Sequence, residues 1–99
     1  MYKRARDYKR DLKVQHEKQE VLFFLMTFMT KTDEKHREFT ADIYDAYKDW
    51  RALNGLAKTV LSIDGFSKLF PKIYVRKAVV TKARKGRAVV GFSCIWRDN

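Results

Sequence analysis

Three aspartates, Asp42, Asp45 and Asp49, fall at i, i+3 and i+7 of one stretch, so a helix would set them on one face. Carboxylates grouped in that way can hold a metal ion or share a proton as an acid–base pair. Their neighbours argue against both uses. Lys48 and Arg51 lie close by in sequence, and no His or Cys joins the set. A solvated helix face is the simpler account. His16 and His36 are isolated, without the spacing of zinc ligands. Cys94 is the single cysteine, which excludes an internal disulfide and suits a small apolar residue in a strand. No glycine-rich phosphate loop and no nucleophile–base pair stands out. The residue types thus point to no catalytic residue, no metal and no cofactor, and to a protein that is not an enzyme.

The chemistry this chain does offer is charge. Residues 76–87 read Arg76-Lys77-Ala78-Val79-Val80-Thr81-Lys82-Ala83-Arg84-Lys85-Gly86-Arg87, with six Lys or Arg among twelve and no acid. Cations at a loop tip gain by neutralising phosphates and releasing counterions. Contact with nucleic acid is therefore expected from Arg76, Lys77, Lys82, Arg84, Lys85 and Arg87. Lys58, Lys68, Lys72 and Ser67 would extend the footprint. Arg84 or Arg87 suits entry into a minor groove, and Lys82 and Lys85 suit phosphate contacts. Tyr44, Tyr74, Phe92 and Trp96 are candidates for stacking on unpaired bases.

The elements that must position these residues fit one domain of 99 residues. With 45% hydrophobic residues, 14 of them aromatic, it can build one modest core. The net charge of +10 is uneven: about +3 over residues 1–20, −1 over residues 31–54 and +8 over residues 55–99. The densest apolar run, Val21 to Met29, has nine residues, short of the roughly 17–25 a membrane span needs. An intracellular site is expected, in the cytoplasm or nucleoid or where a virus replicates, with no membrane partner.

Residues 2–29 lack Gly and Pro and read as a long helix. Its first half has a thin apolar stripe of Tyr2, Ala5, Tyr8 and Leu12. Its second half is apolar nearly all round, with Val21, Leu25 and Phe28 on one face and Leu22, Met26 and Met29 on another. That fits a central helix contacted on two sides, or one face held for a partner. Thr30 to Lys35 reads as a polar loop and Arg37-Glu38-Phe39 as a short strand. Thr40 is the expected N-cap of a helix from Ala41 to about Asn54, with Ile43, Tyr47, Trp50 and Leu53 as its core stripe. Gly55 ends it. After a turn over Leu56–Leu61, Ser62 caps a short helix, Ile63 to Phe70, stopped by Pro71. Phe66, with Leu69 or Phe70, should face inward, and Asp64, Gly65, Ser67 and Lys68 outward. Ile73–Thr81 and Ala88–Trp96 read as antiparallel strands. Ala83-Arg84-Lys85-Gly86 joins them as a turn closed by a positive-φ glycine. The tail Arg97-Asp98-Asn99 reads as frayed.

Helix, helix and basic hairpin outline an α+β winged helix-turn-helix with a long N-terminal helix and a C-terminal basic β-hairpin wing. The expected division is a polar helical extension over residues 1–19 and the winged-helix domain over 20–99. The outward set on the second helix of the pair lacks Arg, Asn and Gln, so it is poor at base readout. Backbone-directed binding fits better.

Tyr44, Tyr47 and Trp50 are followed by Gly55, Leu61-Ser62, Phe66 and Leu69. Over roughly residues 20–96 this pattern resembles the C-terminal winged-helix domain of poxvirus-type and phage or plasmid primase–helicases. Those domains carry a Tyr-x-x-Tyr-x-x-Trp helix, a terminating glycine and a Leu-Ser that opens a Phe-containing helix. Arg51 departs from the pattern where those domains often have cysteine, and the basic run is longer than theirs. The resemblance implies an accessory module of DNA replication without primase or helicase activity of its own. The expected partner is DNA, with single-stranded, duplex and forked forms all open. The apolar Val21–Met29 helix is the expected docking face for a polymerase, helicase or primase subunit, or for a second copy in a homodimer. The alternatives are a winged-helix transcriptional repressor and a protein-docking module of a replication complex.

Overall fold

The computed structural model describes residues 5–96, with side chains from Leu12 onward. Tyr2 and the tail Arg97–Asn99 therefore lie outside the described residues, as do the side chains of Ala5 and Tyr8. The order is α1 (Ala5–Phe28), β1 (Met29–Lys31), β2 (Arg37–Phe39), α2 (Thr40–Leu53), α3 (Ile63–Ser67), β3 (Arg76–Val80), β4 (Lys85–Val90) and β5 (Phe92–Cys94). Two small antiparallel sheets form, β1-β5 and β2-β4-β3. The chain is a compact α+β domain.

Helix α1 runs unbroken through residues 19 and 20. Glu17, Val21, Phe24 and Leu25 are buried, and Phe28 is half-buried. This i, i+4 stripe is the face that meets the core. The helix is not enclosed on two sides as its composition suggested: Met26 is 81% exposed and Phe23 59%. The expected extension also contributes to the core, since Glu17 is buried and Val14 packs against the cluster.

Residues expected in a polar loop begin instead with β1, where Met29 pairs with Cys94 and Lys31 with Phe92. The partner strand is far away in sequence, so nothing local signals this pairing. Strand β2 forms as expected, with Arg37 opposite Val90 and Phe39 opposite Ala88.

Helix α2 buries Ile43, Ala46, Tyr47 and Trp50. Three expectations for its ends meet different fates. Thr40 is not the N-cap: Phe39 holds that position with extended φ −63° and ψ 136°, and Thr40 is already helical and buried. Leu53 is exposed rather than part of the stripe, at the residue where α2 ends. Gly55 does end the helix, at φ +69°. Leu56 N–H reaches Arg51 O at 2.9 Å and Gly55 N–H reaches Ala52 O at 3.2 Å, the paired bonds of a Schellman motif.

Ser62 caps α3, accepting from Gly65 N–H at 3.1 Å. The helix stops at Ser67 rather than Phe70, and a turn carries the chain on to Pro71. Phe66 is fully buried between Tyr44, Tyr47 and Phe70, with ring centroids 5.0–5.4 Å away. Tyr74 then inserts between Phe70 and Phe92. That insertion keeps Ile73–Val75 out of the expected strand, which starts at Arg76.

The second long strand is also divided. Gly91, at φ +78°, breaks it between β4 and β5. A positive φ is open to glycine at little cost. The break lets β4 pair with β2 and β3 while β5 crosses to β1. The hairpin turn differs as well: Gly86 does not have positive φ and already belongs to β4, opposite Val79. Thr81 closes the tip. Its N–H donates to Arg84 O at 2.8 Å, and its hydroxyl oxygen accepts from Ala83 and Arg84 N–H, as Ser and Thr do in turns.

Candidate nucleic-acid interface

Strands β3 and β4 of the three-stranded sheet carry the basic run. Lys77, Lys82, Lys85 and Arg87 are exposed. Among the described residues none of the four forms an ion pair. Arg76 is half-buried, its guanidinium 5.9 Å from the centre of the Phe70 ring. Lys68 and Lys72 are exposed on the segment after α3. Lys58 lies elsewhere, in a depression with Tyr44, Lys48 and Asp49, so it does not join the hairpin cations.

Arg84 is not a free tip residue. Its Nη1 meets both carboxylate oxygens of Asp42, at 3.0 and 3.2 Å. The same guanidinium lies 4.0 Å from the centre of the Phe39 ring. That ring in turn sits on Gly86, where an added Cβ would lie 3.4 Å from Phe39 Cδ1. A methyl group at Gly86 would rest against the ring in ordinary van der Waals contact. The hairpin is tied to the first turn of α2 by a cation, a ring and a carboxylate, so entry of Arg84 into a groove would first require this contact to open.

Between the hairpin, α3 and the start of α2 lies a cleft of about 230 Å³. Phe39, Thr40, Arg76, Arg84, Lys85 and Arg87 line it, and Asp64 is the one acidic residue in its wall. The first N–H groups of α2 have no side-chain cap, and a helix start favours anions. Thr40 is 6% exposed, and its Oγ1 is the buried side-chain oxygen without a partner among the described residues. Ser67, expected to face outward, is buried and donates to Asp64 O at 3.0 Å. Its hydroxyl is spent within the helix.

The stacking candidates are also engaged in the fold. Tyr44 donates to Leu61 O at 2.6 Å and Tyr74 is buried. Phe92 packs on Tyr74, and Trp96 on Phe28 at 5.0 Å. The core needs these rings, which leaves none of the four standing free. The aspartates are divided among partners: Asp42 holds Arg84, Asp45 meets Lys48 at 3.4 Å, and Asp49 is engaged too. Among the described residues no three His, Cys, Asp or Glu side chains converge as a metal site, and no helix is long and apolar enough to cross a membrane.

One polar cluster had no signature in the sequence. Buried Glu17 accepts from Tyr47 Oη at 2.8 Å, from Val60 N–H at 2.8 Å and from the Thr59 hydroxyl. Arg51, also buried, donates to Ala57 O at 2.8 Å and to Tyr47 Oη at 3.1 Å, and pairs with Glu20 at 3.2 Å. Burial, helped by Glu17, pushes the Tyr47 phenol well above its ordinary pKa. Burial and then Cys94 push Tyr74 up. Burial opposes the Arg51 charge, but Tyr47, Glu20 and Glu17 outweigh it and raise that pKa. The cluster pins the α2–α3 connection to α1 and so fixes α3 beside the cleft. The available hints were Glu17 and Glu20, which share a helix face with Val21 and Phe24, and Arg51, one turn after Tyr47. No protein-family profile, characterised protein or solved structure matches this chain.

Proposed function

We propose that this protein binds DNA by its backbone, with little sequence readout, as an accessory module of viral, phage or plasmid replication. The observation that carries the reading is the β3–β4 hairpin. Among the described residues it presents Lys77, Lys82, Lys85 and Arg87 without ion-pair partners, within the stretch 55–99 that carries the charge excess. The element order and the strand order β2-β4-β3 support a winged helix with this hairpin as its wing. A five-residue α3 with Ser67 turned inward supports backbone contact over base readout. The assignment includes no catalytic residue and no cofactor.

The test is fluorescence anisotropy against random single-stranded, duplex and forked DNA over a salt series. Contact with about four to six phosphates gives a log–log slope of about −4 to −5 on duplex. The variant Lys82→Ala/Lys85→Ala/Arg87→Ala should flatten the slope by about 2 to 3 units and weaken binding, with its circular dichroism unchanged. A wild-type slope near zero would sink the proposal.

A second reading, docking to a replication protein, draws on Phe23, Met26 and Leu53, large apolar side chains left exposed on α1 and α2. It predicts weak, salt-insensitive DNA binding in the same titration.

A further inference from the structure

We infer that the cleft between the hairpin and α2 is a seat for a single phosphate group, and that the Asp42 carboxylate is the resident group a phosphate displaces from Arg84. The inference rests on the nucleic-acid reading and goes further by naming one site, its ligand chemistry and its internal competitor. Four cations, Arg76, Arg84, Lys85 and Arg87, line a space of about 230 Å³ whose wall holds one acid, Asp64. At ~30 Å³ per water, that is room for roughly seven waters, enough for a phosphate and its ester linkages and far too small for a duplex. The uncapped start of α2 supplies backbone donors on one side. Thr40, in the same wall, has a hydroxyl oxygen that is buried and unpartnered. A buried hydroxyl without a partner is costly, and turning the Thr40 side chain toward the cleft would let a phosphate oxygen supply that partner.

The contact between Arg84 and Asp42 gives the site its selectivity. A guanidinium over the Phe39 ring that already holds an anion through Nη1 has further N–H groups to offer a phosphate. Both side chains are close to half exposed, so the ion pair is worth little against an incoming phosphate. Binding a phosphate therefore exchanges one anion for another at Arg84 and leaves the hairpin in place.

The experiment is an amide NMR titration of the full chain with inorganic phosphate, followed by oligonucleotides bearing a 5′-phosphate or a 5′-hydroxyl. Saturable shifts are expected at the Thr40 and Ala41 amides and at Arg84 Nε–H. Asp42→Asn should tighten phosphate binding by about two- to fivefold and steepen the single-strand salt slope by about 0.7. Asp45→Asn, one turn on, should do neither. Thr40→Val should weaken phosphate binding while keeping the fold. A stronger response to the 5′-phosphate identifies a strand end as the ligand, and equal responses at the same amides identify an internal phosphate. Shifts scattered over the hairpin tip, no saturation, or equal effects of Asp42→Asn and Asp45→Asn would overturn the inference. Saturation by inorganic phosphate in a chain that binds no DNA would uphold the cleft and overturn the nucleic-acid reading.

Discussion

Glu17 shows how one side chain can hold three segments. It takes hydrogen bonds from α2 through Tyr47 and from the α2–α3 connection through Thr59 and Val60. Removing it would leave those donors buried and Arg51 with one less nearby negative charge. Glu17→Ala should therefore lower stability by about 3 kcal/mol, measured by urea unfolding. A loss under about 1 kcal/mol would mean that water replaces the carboxylate. The Arg84–Asp42 pair has the opposite character, being exposed and easily exchanged. Neither arrangement was legible from the residues alone. Asp42 read as part of a solvated helix face and Arg84 as a cation open to a groove, and their pairing changes both readings. Their meeting, like that of Glu17 with Tyr47 and Thr59, depends on segments 30 or more positions apart.

Local signals fared well wherever a local cause sets the element. Ser62 caps α3 and Gly55 ends α2 because their demands are met within a few residues. An added Cβ at Gly55 would meet nothing within 4 Å, so its role is purely conformational. Gly55→Ala should lower stability by about 1 kcal/mol without changing DNA binding. Thermal unfolding measured alongside the anisotropy titration checks both halves of that expectation. The misread elements share another cause, tertiary packing. Thr40 reads as a cap by residue type, but β2 runs directly into α2 and leaves Phe39 at the cap position. Gly86 reads as a turn glycine, yet it lies within β4, paired opposite Val79. The basic hairpin itself was legible as an element, because its cations need no partner to be recognised. The cleft beside it was not, since its walls come from four separate segments.

At the scale of the whole molecule, a single core joins α1, α2, α3 and the strands, and both perturbed phenols lie in it. Tyr47 and Tyr74 are each pushed above the ordinary tyrosine pKa by burial. The unfolded chain releases those protons near pH ~10, while the folded chain keeps them. Their contribution to stability is thus complete below that pH and is lost as pH rises beyond it. A base titration should show these two tyrosines ionising only together with loss of the near-ultraviolet circular dichroism. Full phenolate absorbance while that signal persists would contradict their burial. The short β1–β5 sheet has a further consequence, in time rather than in space. Met29 pairs with Cys94, so this ladder closes a loop spanning most of the chain. Loop closure over such a separation is slow compared with forming a hairpin or a helix. During synthesis, α2 and its neighbours can collapse early, but α1 gains its last strand contact only after Cys94 has left the ribosome. Until then, β1 at the end of α1 must wait with its sheet partner missing, and that interval is when the nascent chain is most open to capture by a chaperone or by another copy of itself.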